Sequence, residues 1–265
     1  MPKIILGDNP FFAISHLSPE KSAEYLRTTD LHRSAINILA SCCDLGIDLF
    51  MVSTHSETPR LLKKAGYGEG RNLPKVCLVV PNVHEVNKTA ATRGITGAVA
   101  GLVKKGWWKI LVPRRLYQAV VMADNVYPEI EYVALHNVVV DMLLGLRAHM
   151  VIGAFCWLTK KMGYKPVLIT LNPLALLKTR INCAAICCYY NAKQYNVCDS
   201  VPEVLNAFNT KQDVDEIWAM GVVASGAVTY QELAEDKALQ SFDRVLVASS
   251  KLERIKSMKD AVQNA

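Results

Sequence analysis

The apolar residues of this chain fall into short runs that are separated by longer segments with helical spacing. The runs are rich in Val, Ile and Leu and do not alternate strictly with polar residues, which is typical of strands buried on both faces. Eight runs predict strands, at Lys3 to Gly7, Asp48 to Ser53, Lys75 to Pro81, Glu131 to His136, Pro166 to Asn172, Ala184 to Tyr190, Glu216 to Ala224 and Arg244 to Ala248.

Helical periodicity fills the intervals between these strands. The predicted helices cover Ser34 to Leu45, Thr58 to Ala65, Ile95 to Met122, Val140 to Met162, Pro173 to Arg180, Pro202 to Phe208, Thr229 to Leu239 and Lys251 to Gln263. Alternation of strand and helix indicates an α/β protein, and eight repeats favour a closed (β/α)8 TIM barrel. The stretch Gly94 to Pro128 fits either a further strand or a helical hairpin, and we assign it as mainly helical. No shift in composition divides the chain, so we expect one TIM-barrel domain over residues 1–265.

Composition narrows the class of protein. With 51% hydrophobic and 20% charged residues, the chain can bury a large core and is not disordered. Most of its eight cysteines sit in apolar runs, which indicates small core residues in a reducing, cytoplasmic compartment. No apolar run is long enough to span a bilayer, and a net charge of +6 with scattered basic residues gives no basic stripe. We therefore expect no membrane and no nucleic-acid partner, and a small-molecule substrate.

Polar residues that could take part in catalysis or binding follow the ends of several predicted strands. His55, His84 and His136 each fall at or just past the carboxyl end of a strand, and Asp8 with Asn9 follows the first strand. The carboxyl ends of barrel strands meet at one face, where such barrels carry their active sites. We predict one polar mouth, with Asp8, His55 and His136 as catalytic residues and Asn9 beside them.

Two kinds of chemistry fit this set of residues. Three imidazoles, from His55, His84 and His136, could bind a divalent zinc-like ion and activate a water molecule, whose pKa the metal lowers to about 7. In the metal-free alternative, His136 acts as acid or base near neutral pH while Asn82 and Asn172 orient a substrate oxygen. Either arrangement would support a lyase, isomerase or hydrolase reaction.

Two loops near the end of the chain are candidates for phosphate or cofactor binding. They follow the seventh and eighth strands, where barrels often bind phosphate, and they contain small residues next to a helix start with basic side chains. The residues are Ser225, Gly226, Ser249, Ser250, Lys251 and Arg254. Ordinary capped turns would produce the same pattern.

A cluster of aromatic residues leaves the sixth strand, with Tyr189, Tyr190 and Tyr195 in the segment YYNAKQYN. An aromatic ring there could stack on a flat ligand ring such as a nicotinamide. We assign Tyr190 to substrate binding.

Several segments resemble the aldo-keto reductase superfamily over about half of the chain. EIWAMGVVASGAVTYQELAE and FDRVLVASSKLERI resemble its last two βα units, and GIDLFMVSTHSETPRLLKKAGYG resembles its second strand and the following helix. YVALH ends in His136 as the family's fourth strand ends in a histidine, and LITLN ends in an asparagine where the family has Ser-Asn. The resemblance implies a barrel fold and an NAD(P)H cofactor.

The departures from the family concern its catalytic tetrad. Met51 stands where the family has its aspartate, and Val80, Pro81 and Asn82 stand where a lysine would be. No residue matches the proton-donating tyrosine, so only His136 has an equivalent. The opening LGDNPFF, with STH and LHN, resembles a group of aldo-keto reductase-type barrels that lack the tetrad. This second resemblance does not indicate any particular activity.

Three functions stay open from the sequence. The first is an enzyme that acts on a small carbonyl-bearing or phosphorylated metabolite by histidine-assisted, metal-assisted or metal-free, acid/base chemistry. The second is an NAD(P)H-dependent oxidoreductase of aldo-keto reductase type. The third is a non-catalytic barrel that serves as a binding or assembly subunit, including a homo-oligomer, with Trp107 and Trp108 as candidate interface anchors.

Overall fold

Eight parallel strands close into a barrel in the order of the chain, in a computed structural model that describes residues 1–12, 31–54, 57–80, 129–195, 197, 199–209 and 213–265. The strands are β1 Lys3–Gly7, β2 Leu49–Ser53, β3 Lys75–Val80, β4 Ile130–Leu135, β5 Lys165–Thr170, β6 Cys183–Tyr189, β7 Val214–Met220 and β8 Arg244–Val247. The barrel closes where β1 pairs with β8, from Lys3 opposite Arg244 to Leu6 opposite Val247. The predicted (β/α)8 fold is confirmed.

Helices follow the strands on the outside of the barrel. Among the described residues they are α1 Leu31–Ser41, α2 Thr58–Ala65, α3 Asn137–Gly145, α4 His149–Lys161, α5 Pro173–Leu177, α6 Val201–Asn209, α7 Tyr230–Ala234 and α8 Leu252–Asn264. Short 3-10 helices cover Asn9–Phe12, Ala224–Gly226 and Lys237–Ser241. The ambiguous stretch Gly94 to Pro128 and the helix predicted at Ile95 to Met122 lie outside the described residues.

Backbone geometry explains where the predicted elements end early. The helix predicted at Val140 to Met162 is two helices, α3 and α4, and Arg147 between them has a left-handed φ of 55°. The strand predicted to reach Ala224 ends at Met220, because Gly221 has a φ of 74°. A positive φ lies outside both the right-handed helical and the extended regions, so each of these residues ends its element.

The core has two layers, as strands buried on both faces require. One apolar cluster fills the barrel interior and includes Ile5, Cys77 and Trp218, while a larger one lies between the strands and the helices. Burial raises the pKa of the Cys156 thiol to about 12, so this side chain stays protonated and packs as a small apolar group. The prediction of core cysteines is confirmed for the described residues, of which Cys42, Cys77, Cys156, Cys183, Cys187 and Cys188 are buried.

The amino-terminal end of the barrel holds an ion-pair network that we call the base network, made of Arg244, Glu216 and Asp48. The Arg244 side chain is 8% exposed, and it places Nε 2.9 Å from Glu216 Oε2 and Nη1 2.7 Å from Asp48 Oδ1. Glu216 Oε2 also accepts a hydrogen bond from Trp218 Nε1 at 2.6 Å. Two further ion pairs surround this end, Lys75 with Glu129 and Lys165 with Glu131.

Candidate active site

The carboxyl ends of the strands form the mouth of the barrel, and the floor of the mouth is apolar. Its inward-facing side chains are slightly exposed, whereas Ile5 and Trp218 deeper in the barrel are fully buried. These floor residues are Met51 (6% exposed), Val79 (7%), Ile169 (5%) and Met220 (8%). A ligand in the mouth would therefore rest on side chains that exclude water.

Asp8 lies at the mouth directly after β1 and is held by the neighbouring strand. The residue is 6% exposed, and its Oδ2 accepts hydrogen bonds from Ser53 N at 2.8 Å and from Ser53 Oγ at 2.5 Å. Asn9 opens the 3-10 helix that follows, and buried Phe11 donates its backbone N–H to Asp8 O at 2.8 Å. The structure thus fixes the Asp8 carboxylate at the position that the sequence predicts.

His136 is the N-cap of helix α3, directly after β4. Its Nδ1 accepts a hydrogen bond from Val138 N at 3.2 Å, and its own backbone N–H donates to Val80 O at 2.9 Å. Because Nδ1 accepts, the proton of the neutral ring is carried by Nε2. Protonation of Nδ1 would break the capping bond. The geometry therefore favours a hydrogen-bond donor at Nε2 over the acid or base role that the sequence suggests.

Hydrogen bonds connect the carboxyl ends of β2, β3 and β4, which lie between Asp8 and His136 at the mouth. Thr54 Oγ1 donates to Val79 O at 3.4 Å, and His136 N reaches Val80 O, so β2, β3 and β4 meet in sequence. Asp8 and His136 open on the same end of the barrel, with β2 and β3 between them.

The three-histidine metal site stays a prediction. His55, His84 and Asn82 lie outside the described residues. Within the part of the chain that the structure describes, no group of three His, Cys, Asp or Glu side chains could hold a metal ion.

Asn172 follows β5 and is braced by a half-buried carboxylate on helix α3. Asp141 accepts hydrogen bonds from Thr170 Oγ1, from Leu171 N at 3.0 Å and from Asn172. Burial raises the pKa of Asp141, and these hydrogen bonds lower it only in part. Sequence reasoning missed Asp141, although it is the one charged residue in the apolar helix NVVVDMLLG.

The two adjacent tyrosines of β6 face opposite sides of the strand. Tyr190 is 3% exposed, its hydroxyl lies 3.0 Å from both carboxylate oxygens of Asp236, and its ring packs 4.8 Å from Phe242 in the outer layer. Tyr189 instead packs against the cluster inside the barrel. The assignment of Tyr190 to substrate binding is therefore wrong, because successive strand residues alternate between faces and Tyr189 is the one at the mouth.

Gly221 leaves room for the Tyr189 ring to pack against its backbone. A Cβ at position 221 would lie 2.7 Å from Tyr189 Cδ1, and the residue has a φ of 74°. Glycine is required there both for the backbone conformation and for the close approach of the ring. Burial raises the pKa of Tyr189, so its phenol stays protonated at neutral pH.

The loop after β7 uses most of its amides internally. Ala224, Ser225 and Gly226 have consecutive left-handed φ values of 44°, 57° and 96°. The backbone N–H of Ala224 donates to Gly221 O at 2.8 Å, and that of Gly226 donates to Val223 O at 2.7 Å. This geometry is that of a closed turn, which leaves Ser225 as the stronger of the two predicted anion contacts.

The turn after β8 is more open to an anion. Lys251 N donates to Ser249 Oγ at 3.1 Å, Ser250 is buried, and its carbonyl accepts a hydrogen bond from Ser34 Oγ. Helix α8 follows without a side-chain cap, and Lys251 and Arg254 are exposed at its start. The first N–H groups of a helix carry partial positive charge. Anion binding at this turn stays a prediction.

A cavity of about 400 Å³ lies elsewhere, outside the barrel and between helices α5 and α6. Its lining includes Leu176, Ile181, Ile186 and Ala207, and none of the mouth residues contributes to it. We place the candidate site at the mouth, because barrels of this fold carry their chemistry at the carboxyl ends of the strands and the polar groups converge there.

The fold and the mouth together define an α/β barrel of the TIM type. Solved structures with the same architecture include one described as "Putative aldo-keto reductase from Pseudomona aeruginosa", which is 16% identical with a TM-score of 0.61 and covers 98% of this chain and 89% of that chain. A second structure from the same organism, with the same description, is 16% identical with a TM-score of 0.60 and covers 98% of this chain and 90% of its own. This similarity shows the fold. No protein-family profile matches the sequence, and no curated protein does.

Crossing a bilayer requires helices of about 20 predominantly apolar residues. None in the described part of the chain is both long and apolar enough to cross a membrane.

Proposed function

We propose that this chain is a nicotinamide-dependent oxidoreductase that acts on a small carbonyl compound at the barrel mouth. The observation that carries the proposal is the apolar floor of the mouth with Tyr189 fixed on its wall by Gly221. The similarity of the whole barrel to structures described as aldo-keto reductases supports it. The hypothesis of a lyase, isomerase or hydrolase gains no support from these comparisons.

The residues at the mouth fit a nicotinamide cofactor. The cofactor supplies hydride transfer to or from a carbonyl carbon. Met51, Val79 and Met220 exclude water beneath the reacting atoms, and Tyr189 offers a flat surface to an aromatic ring. The start of helix α8 offers N–H groups and positive charge to phosphates.

The polar groups of the mouth then orient the substrate. His136 would donate a hydrogen bond from Nε2 to the carbonyl oxygen and stabilise the negative charge that develops there as hydride is transferred. The resulting alkoxide would take its proton from a solvent water molecule at the open mouth. Ser53 Oγ donates to the Asp8 carboxylate. A hydroxyl oxygen that donates becomes a better acceptor, so Ser53 Oγ would accept a hydrogen bond from a substrate hydroxyl group. Apolar Met51 means that the mechanism does not use the aspartate of the aldo-keto reductase tetrad.

A binding experiment tests the proposal. We expect NADPH or NADH to bind the purified protein in calorimetric titration, and aldehydes to be reduced with loss of cofactor fluorescence. Tyr189→Ala should weaken binding, and Lys251→Gln with Arg254→Gln should weaken it by about tenfold, since each cation contributes a charge-assisted contact. Tyr190→Phe and Lys256→Gln are matched controls on the outer face of β6 and further along α8, and they should leave binding unchanged.

Other results would assign other functions. One such result is a folded protein that binds neither NADPH nor NADH but holds a stoichiometric divalent metal, which is lost in His55→Ala. That result would support the metal-assisted reaction. A barrel that binds no cofactor and no metal would be the non-catalytic subunit. That second candidate has one observation in its favour, because Met51 and Val79 place apolar side chains on the floor where a charged catalytic residue would act.

A further inference from the structure

Helix α4 and the turn before it present an apolar surface to solvent, which we call the α4 face and define by Leu146 in the turn and Met150, Ala154 and Trp157 in the helix. Three of these side chains are large and strongly exposed, with Leu146 at 70%, Met150 at 89% and Trp157 at 61%. The spacing of four and three residues places Met150, Ala154 and Trp157 along one side of the helix, and Leu146 lies in the turn that precedes it. The opposite side is already packed on the barrel through buried residues such as Ile152 and Phe155. The α4 face is therefore surplus to the core.

The stretch of sequence that contains the α4 face carries only positive charge. Between Asp141 and Asp199 the chain has no Asp or Glu, whereas seven basic residues fall there, namely Arg147, Lys160, Lys161, Lys165, Lys178, Arg180 and Lys193. Asp141 itself is directed at Thr170 and Leu171. An apolar surface with a one-sided positive border requires an anionic partner.

Five of the seven cations remain available to such a partner. Lys165 pairs with Glu131 at 2.7 Å, and Lys193 pairs with Glu232 at 2.6 Å. The other five are exposed and form no ion pair with any carboxylate in the described ranges; they are Arg147, Lys160, Lys161, Lys178 and Arg180. Lys160 contacts Asn182, which places Arg180 close to the end of helix α4.

These features fit a lipid surface better than a protein partner. A second copy of the chain would bring Arg147, Lys160 and Lys161 against the same cations. A globular acidic protein needs carboxylates in fixed positions and a complementary surface, whereas here the cations are spread and the apolar side chains protrude from a convex helix. A bilayer meets both conditions, because its charge is diffuse and its interior accepts protruding side chains.

Trp157 adds a specific reason. Lys161 Nζ lies 5.9 Å from the centre of the Trp157 ring, so an amphipathic ring and a flexible cation stand side by side. Tryptophan is enriched at the boundary between headgroups and acyl chains, and lysine can reach from there to the phosphates.

We propose that the α4 face binds the surface of anionic phospholipid bilayers, with Leu146, Met150 and Trp157 at the acyl boundary and the five cations on the headgroups. The association is peripheral and does not depend on the proposed oxidoreductase activity. The expectation of no membrane partner rested on the lack of a spanning segment, which this mode of binding does not need.

Vesicle cosedimentation of the full 265-residue chain tests the proposal. We expect binding to phosphatidylcholine vesicles that contain phosphatidylserine, weaker binding to phosphatidylcholine alone, and loss of the difference at high salt. Met150→Ser combined with Trp157→Ser should weaken binding by at least about tenfold. Arg147→Asn combined with Lys161→Gln should weaken it by about 25-fold on the anionic vesicles, since each cation near an anionic surface contributes about fivefold. Asparagine tolerates the left-handed φ of 55° at position 147.

Matched controls lie on other faces of the barrel. Tyr230→Ser, at a residue 39% exposed on α7, and Lys256→Gln on α8 should leave vesicle binding unchanged. The proposal is overturned when no binding depends on phosphatidylserine, or when the Met150 and Trp157 variant binds as well as the parent. Dissociation of a dimer by that variant in sedimentation velocity, without vesicle binding, would instead assign the face to self-association. Binding of an acidic amphipathic peptide without vesicle binding would assign it to a protein partner.

Discussion

The two ends of the barrel satisfy their charged groups in different ways. At the base, buried Arg244 is matched by two carboxylates, Glu216 and Asp48. At the mouth, the buried carboxylate of Asp8 accepts hydrogen bonds from the backbone and hydroxyl of Ser53, and it stands beside an apolar floor. Opposite charges are paired at the base, whereas at the mouth hydrogen bonds from an uncharged residue, Ser53, hold the Asp8 carboxylate. This difference agrees with the general division of such barrels, in which the amino-terminal face stabilises the fold and the carboxyl-terminal face carries the active site.

We expect the largest effect on stability when the cation of the base network is removed. Arg244→Met should lower the free energy of unfolding by about 3 kcal/mol, because it removes the cation that Glu216 and Asp48 share and leaves Asp48 with the exposed Lys3. The value is at the lower end for a buried pair, since Glu216 is 30% and Asp48 49% exposed. Urea denaturation measures the change, and cofactor binding at the mouth should not alter.

A surface pair at the same carboxylate provides the control. Lys3 lies 3.6 Å from Asp48, and its side chain is 64% exposed. Lys3→Met should cost less than about 1 kcal/mol, as exposed ion pairs do. Equal effects of Arg244→Met and Lys3→Met would mean that burial does not distinguish the two pairs.

The corresponding change at the mouth should cost less stability and more function. Asp8→Ala leaves Ser53 N–H and Oγ without this acceptor, so we expect a loss of about 2 kcal/mol in the free energy of unfolding. Substrate reduction should fall strongly as well. Asp8→Asn keeps an acceptor oxygen and should recover most of the stability but not the activity. Equal stability of the two variants in urea denaturation would show that the hydrogen bonds to Ser53 contribute little.

The sequence predicts the barrel well because its signal is local. Each strand is a run of apolar residues between polar turns, and the predicted bounds agree with the structure to within two residues except at the end of β7. That exception coincides with the positive φ of Gly221, whose lack of a side chain admits the Tyr189 ring from the neighbouring strand. A contact between strands leaves no mark in a local pattern.

The candidate site is less predictable for the same reason. The sequence places Asp8, Asn9 and His136 at strand ends, and the structure confirms these positions. It cannot decide between Tyr189 and Tyr190, because that choice depends on which face of β6 is inside. It also misses Asp141, which reaches the mouth region from a helix by bonding to Thr170 and Leu171.

A pair of variants at His136 separates capping from function at the mouth. His136→Ala removes the acceptor for Val138 N–H and should cost about 1 kcal/mol of stability. His136→Asn should retain the cap, since asparagine is among the best N-cap residues, and its unfolding free energy should stay within about 0.5 kcal/mol of the parent. Both variants should lose carbonyl reduction, because neither has the imidazole Nε2–H. Full activity in His136→Asn would remove the ring from the proposed mechanism and leave His136 as a cap.

The smallest expected effect is the pH dependence of stability that Asp141 contributes. This carboxyl is held by hydrogen bonds from Thr170 and Leu171, whereas the carboxylates of the base network are held by a cation. Burial raises the pKa of this carboxyl in the folded protein, so ionisation is disfavoured there relative to the unfolded chain. The folded state is then favoured at low pH, and its stability falls as pH rises from about 4, where the unfolded chain ionises, through the raised folded pKa. Asp141→Asn cannot ionise, so its deficit relative to the parent should shrink as the pH rises, and urea denaturation at several pH values measures it. Parallel profiles for the parent and Asp141→Asn would show that the Asp141 carboxyl is solvated well enough to ionise without cost.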